Sequence, residues 1–170
     1  MRTVLAEVAR FWNYLLGKRS EVQALSARDV LLAKVILDIH RKRTRTEFVF
    51  VPLFAVRQIH PIDREDALQA TAQRAAAVEA HRSEILVHKR VSREVLAAYL
   101  PSVSWIKVVQ QDPRTYIAYE GNGRLAALQK VFGPGDGIVL EVEQYFFRNP
   151  AKILRRMNRV RGDYGLSRLL

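Results

Sequence analysis

The residues best placed to do chemistry stand together at 120–124, as Glu-Gly-Asn-Gly-Arg. Glu120 ends the stretch Thr-Tyr-Ile-Ala-Tyr-Glu, which reads as a strand, and Leu125 opens a run of helix formers, Leu-Ala-Ala-Leu-Gln-Lys-Val-Phe. A strand that turns into a helix leaves the first helical N–H groups without carbonyl partners, and the helix dipole makes that end attractive to an anion. Gly121 and Gly123 permit positive φ and let a ligand come close to the backbone. Arg124 can make a two-pronged contact with phosphate oxygens. Glu120, just ahead of the turn, could accept a proton from a substrate hydroxyl or coordinate a metal ion, and it is the candidate catalytic residue. Four residues alone favour an ordinary strand-to-helix turn; the surroundings decide whether Gly121, Asn122, Gly123 and Arg124 form a phosphate cradle.

Those surroundings are patterned. Ser-Trp-Ile-Lys-Val-Val-Gln at 104–110 reads as a strand, Gln-Asp-Pro-Arg-Thr as a turn, and the strand at 115–120 completes a hairpin. Gly-Pro-Gly-Asp-Gly at 133–137 closes the helix, and 138–147 is a further strand. Upstream, 47–59 is rich in valine and phenylalanine and reads as a strand interrupted at Pro52. His60-Pro61 turns the chain. Residues 63–86 predict one alanine-rich helix started by Asp63, and 92–99 a short helix capped by Ser92. Asn149 and Pro150 open a last helix with the apolar stripe Ile153, Leu154, Met157 and Val160.

The order strand, turn, strand, G-x-x-R-x-x-A, helix, glycine-rich loop, strand resembles the ParB/sulfiredoxin-like superfamily. Gly121, Arg124 and Ala127 occupy its motif positions, and the likeness runs over residues 47–147. The resemblance implies that Gly121, Asn122, Gly123 and Arg124 bind nucleotide phosphates, with magnesium and a nucleoside triphosphate as cofactors and hydrolysis or phosphoryl transfer as the activity. Two departures matter. Sulfiredoxin has its catalytic cysteine at the place of Asn122, and this chain contains no cysteine, so that redox chemistry is excluded. The second arginine usual in the turn of the partition proteins is replaced by Gly123.

The implied fold is α+β: a small mixed sheet flanked by helices, with an N-terminal helical pair and a C-terminal basic helix. The chain divides into an extension at 1–46, a core at 47–148 and a tail at 149–170. In the extension, Val4, Leu5, Val8, Phe11, Trp12, Leu15 and Leu16 make one face of a helix, which would pack on the domain or on a second copy in a homodimer. A second helix capped by Ser26 follows it.

A net charge of +11 and a pI of about 10.4 favour polyanionic partners. Arg41, Lys42, Arg43 and Arg45 cluster at the end of the second helix, and Arg155, Arg156 and Arg159 lie on the last one. They are the candidate DNA-binding residues, in a module that binds or processes DNA; basic residues also simply suit a helix C-terminus. A third reading is a non-catalytic interaction domain, which Glu120 locked in a salt bridge would favour. His40, His60, His81 and His88 lack zinc-ligand spacing, and neither a G-x-S-x-G elbow nor a P-loop lysine pattern is present. No apolar run is long enough to span a bilayer, and Glu7, Arg10 and Asn13 interrupt any secretory signal, so the expected location is the cytoplasm.

Overall fold

Apolar residues stand next to one another in each central strand, so each strand feeds two cores at once. Val108 and Val109, or Ile117 and Ala118, are neighbours in sequence and enter opposite cores. The computed structural model describes residues 27–102 and 104–167. In chain order these form α1 (Ala27–Lys42), β1 (Arg43–Pro52), a 3-10 turn (Leu53–Ala55), β2 (Val56–Gln58), α2 (Glu65–Glu79), α3 (Arg82–His88), β3 (Arg90–Val91) and α4 (Arg93–Tyr99). Then come β4 (Lys107–Asp112), β5 (Thr115–Glu120), α5 (Asn122–Val131), a second 3-10 turn (Pro134–Asp136), β6 (Val139–Phe147) and α6 (Pro150–Asp163).

The strands make one six-stranded mixed sheet in the order β1-β6-β4-β5-β2, with β3 paired to β6 beside this path. β1 runs antiparallel to β6 along almost its whole length, from Arg43 opposite Phe147 to Pro52 opposite Val139. β4 and β5 form the expected antiparallel hairpin, and the amide of Arg114 donates to Asp112 Oδ1 at 2.8 Å in its turn. β2 joins β5 in parallel, through Val56–Tyr116 and Gln58–Ala118.

On one face, Val78 of α2, Ile85 of α3, Leu96 of α4 and Leu125 and Leu128 of α5 pack on Val108, Ala118, Leu140 and Val142. On the other, Val35 and Ile39 of α1 and Ile153, Met157 and Val160 of α6 pack on Val109, Ile117 and Tyr145. The expectation of a mixed sheet flanked by helices therefore holds. The second face is covered by the helices read from sequence as extension and tail. No helix among the described residues is long and apolar enough to cross a membrane.

Several local expectations are corrected. The single helix at 63–86 is two helices, broken at Ala80 and His81. The break lets Ile85 enter the core while the His81 ring stacks on Tyr99 at 3.8 Å. Asp63 does not cap α2: Arg64 holds that position, and Asp63 faces Arg28 at 3.5 Å. The strand at 47–59 starts earlier, at Arg43, and is split by the 3-10 turn after Pro52. β1 thus straddles the boundary drawn at residue 46. Arg43 and Arg45 belong to it rather than to the preceding helix. The caps at Ser92 and Asn149 are as expected, with Val95 N–H donating to Ser92 Oγ and Lys152 N–H to Asn149 Oδ1. The helix at 3–16, its dimer contact and the Ser26 cap lie outside the described residues.

Candidate anion-binding site

The turn after β5 is built by one glycine. Gly121 sits at φ +82°, in the left-handed region that glycine alone adopts freely, and α5 begins at once with Asn122. The sequence placed the helix start at Leu125; the structure moves Asn122, Gly123 and Arg124 into the first helical turn. The N–H groups of Arg124 and Leu125 both donate to the Gly121 carbonyl, at 3.1 and 3.0 Å. Those of Asn122 and Gly123 come earlier still, where no intrahelical carbonyl is available.

A cleft of about 360 Å³ opens over this helix start. It is lined by Glu120 and residues 121–124, by Thr71 and Arg74 from α2, and by His60, Ser104 and Tyr119. All five expected residues thus meet in one cavity. Arg124 is only 4% exposed and donates through Nη2 to the Ser104 carbonyl. Burial lowers its proton affinity, as does the nearby Arg74, against the opposite pull of Glu120.

Glu120 is engaged. Lys107 Nζ stands 2.8 Å from its carboxylate and His40 Nε2 stands 3.8 Å away. Partial burial alone would raise its pKa. Hydrogen bonds from Lys107 and Ser104, with the charge of Lys107, outweigh this and hold Glu120 below the usual glutamate range. A general base works best with a pKa near the operating pH. Glu120 is shifted the other way, so its geometry is that of a salt-bridge anchor. Burial and Lys107 also lower the pKa of His40, and Lys107 is the nearer of the two to the Glu120 carboxylate.

A pH effect follows. The depressed pKa of folded Glu120 contributes stability that is present above the unfolded value near 4.5 and is lost as pH falls through the folded value. Glu120→Gln should therefore flatten the acid limb of a stability–pH curve below pH 4.5 and leave its alkaline limb unchanged, as read by denaturant titration at each pH.

His60 sets the orientation of Asn122. His60 Nδ1 lies 2.8 Å from the Pro61 carbonyl, which can only accept, so this nitrogen carries the proton. Nε2 of a neutral ring then accepts from Asn122 Nδ2 at 3.4 Å, and Asn122 Oδ1 is buried with no protein partner among the described residues. Thr71 Oγ1 is in the same position. Among the described residues no three His, Asp or Glu side chains converge as a metal-ligand set, and the only carboxylate lining the cleft is the paired Glu120.

The second set of expected residues forms a separate surface. α1 and α6 pack together and bring basic residues from 42–43, from 148–152 and at Arg156 close to one another. Lys42, Arg43, Arg148 and Lys152 line a cavity of about 530 Å³ there. Asp38 binds both Lys42, at 3.0 Å, and Arg156, and Glu47 binds Arg45 at 2.8 Å. Arg41, Arg43, Arg148, Lys152, Arg155 and Arg159 are exposed and make no ion pair among the described residues.

Thr71, Arg74, His60 and Lys107 were not foreseen as site residues. Comparisons with protein-family models, curated proteins and solved structures each found no match.

Proposed function

We propose that the chain is a phosphate-binding domain of the ParB-like kind, and that its ligand is a nucleotide held by its phosphates at Gly121–Arg124. The observation that carries this reading is the start of α5: two N–H groups without helical partners, a helix dipole, and a buried guanidinium whose neighbouring carboxylate is already neutralised by Lys107. Such a place is electropositive and gains most from an anion. Glu120 holds the turn rather than acting as a base, so binding without turnover by Glu120 is the form the site supports. The donor set suits phosphate and does not suit a metal held by the protein; magnesium would arrive on the nucleotide.

A thermal-shift series against nucleoside mono-, di- and triphosphates, with and without magnesium, tests this. A ligand at a hundred times its dissociation constant adds about 2.7 kcal/mol to stability. For a chain of this size each kcal/mol raises Tm by about 2–4 °C, so a rise of roughly 5–10 °C is expected from at least one nucleotide. No rise with any nucleotide would sink the reading.

The basic side formed by α1 and α6 favours a second reading, duplex DNA as a partner on that side. Each phosphate contact contributes about −0.9 to the slope of log K against log salt. Replacing Arg155 and Arg159 together with glutamine should make the slope shallower by about 2. An unchanged slope, or no binding at low salt, would remove this surface from consideration.

A further inference from the structure

Gly123 is a glycine for a reason other than backbone freedom. It lies in the first turn of α5 with no positive φ, a place where any residue fits the backbone. What its missing side chain provides is space. A Cβ there would stand 2.9 Å from Arg74 Nη1 and 3.5 Å from Thr71 Oγ1. The absence of that one carbon lets the guanidinium of Arg74, on α2, lie directly against the start of α5.

Arg74 thereby comes close enough to Arg124 to disfavour its charge. Among the described residues Arg74 makes no ion pair, and Glu120 is taken by Lys107. Both guanidinium groups line one cleft and repel each other, and the single carboxylate beside them, Glu120, is shared with Lys107. Beside them Thr71, 8% exposed, and Asn122, 7% exposed, each keep an oxygen without a protein partner among the described residues. Buried polar atoms of this kind are uncommon, and a water, an ion or a ligand can supply the remaining partner.

We infer that Arg74 and Thr71 complete the anion site from α2, and that the paired arginines make it a site for a doubly charged phosphate: a terminal phosphoryl group or phosphomonoester rather than a phosphodiester. One charge on the ligand leaves one guanidinium unneutralised, whereas two charges match the pair. This inference rests on the proposed phosphate-binding reading and adds to it the charge state of the group bound and two residues from a remote helix.

The test compares methyl phosphate, dimethyl phosphate and a nucleoside diphosphate by calorimetric titration at pH 8, where the monoester is a dianion. Wild-type protein should bind the monoester and the diphosphate at least tenfold more tightly than the diester. Arg74→Gln should lose at least tenfold for the two dianionic ligands and lose the discrimination, while keeping the unliganded Tm at or above that of wild type because a like-charge contact is gone. Gly123→Ala, which displaces Arg74 without removing it, should reproduce the loss in part. If Arg74→Gln binds as wild type does while Arg124→Gln does not, Arg124 alone makes the site and the inference falls, with the phosphate reading intact. If wild type discriminates no monoester from diester, the dianion assignment falls. If wild type binds none of the three, the phosphate reading falls with it.

Discussion

Gly121→Ala should destabilise the folded chain by about 2–5 kcal/mol, one of the largest effects of any single methyl group added to this protein. Two independent costs combine. At φ +82° an alanine sits in the left-handed region, which costs an L-residue about 1–2 kcal/mol. The new Cβ would also stand 2.8 Å from Ile106 Cγ1 and 3.0 Å from Ile106 Cα. The second contact is with backbone and cannot be relieved by a rotamer change; overpacking of this sort costs about 1–3 kcal/mol. Ile106 is fully buried between β4 and α5, so the strand or the helix has to shift. Gly135→Ala is the matched control. It has open space around its Cβ and no positive φ, and should stay within about 0.5 kcal/mol of wild type. Equilibrium urea unfolding of both variants checks the pair. A Gly121→Ala value within 1 kcal/mol of wild type would mean that the turn is not held as described, with roughly that margin set by ordinary surface substitutions.

Arg124→Met should remove nucleotide binding more completely than any other substitution in the cleft. The guanidinium is 4% exposed and held by the Ser104 carbonyl, so its orientation is fixed before a ligand arrives. Truncating one partner of a buried, hydrogen-bonded charge pair costs about 2–5 kcal/mol, or roughly 30- to 4,000-fold in affinity. Methionine keeps much of the volume, so the packing of α5 on α2 should survive. Circular dichroism and urea unfolding report on that fold while titration calorimetry reports on affinity. Nucleotide affinity within threefold of wild type, in a folded variant, would move the binding site elsewhere.

Local chemistry in this chain was readable wherever one or two residues decide it. Asp112 and Pro113 make the hairpin turn, Ser92 and Asn149 cap their helices, and the stretches 104–110 and 115–120 read as its two strands. Features decided by distant packing were not readable. The break between α2 and α3 contains neither glycine nor proline; it is made by Tyr99 stacking on His81 and by the core taking Ile85. β3 is two residues long and exists because β6 offers a free edge at Val139 and Leu140. The site divides in the same way. Gly121–Arg124 is contiguous and stood out at once. Thr71 and Arg74 are one helical turn apart in an alanine-rich helix, where a lone threonine and arginine carry no signal. Only the contact with Gly123 gives them meaning, and Gly123 itself was misread as a source of backbone freedom. Glu120 shows the converse: it lines the cleft, and Lys107, thirteen residues away across the hairpin, is its partner.

The long antiparallel match between β1 and β6 has a consequence for synthesis. β1 is complete at Pro52, but its hydrogen-bonding edge finds no mate until Val139–Phe147 has been made. Nearly a hundred residues therefore leave the ribosome while Phe48, Phe50 and the open edge of β1 stay available to other chains. The central hairpin and α5 can assemble first from local contacts, and α1 waits for α6 to bury Val35 and Ile39. Arg43 and Arg45, within β1 itself, place positive charge along that waiting edge and discourage pairing between nascent chains; in the closed sheet their guanidinium groups lie over Tyr145 and Phe146.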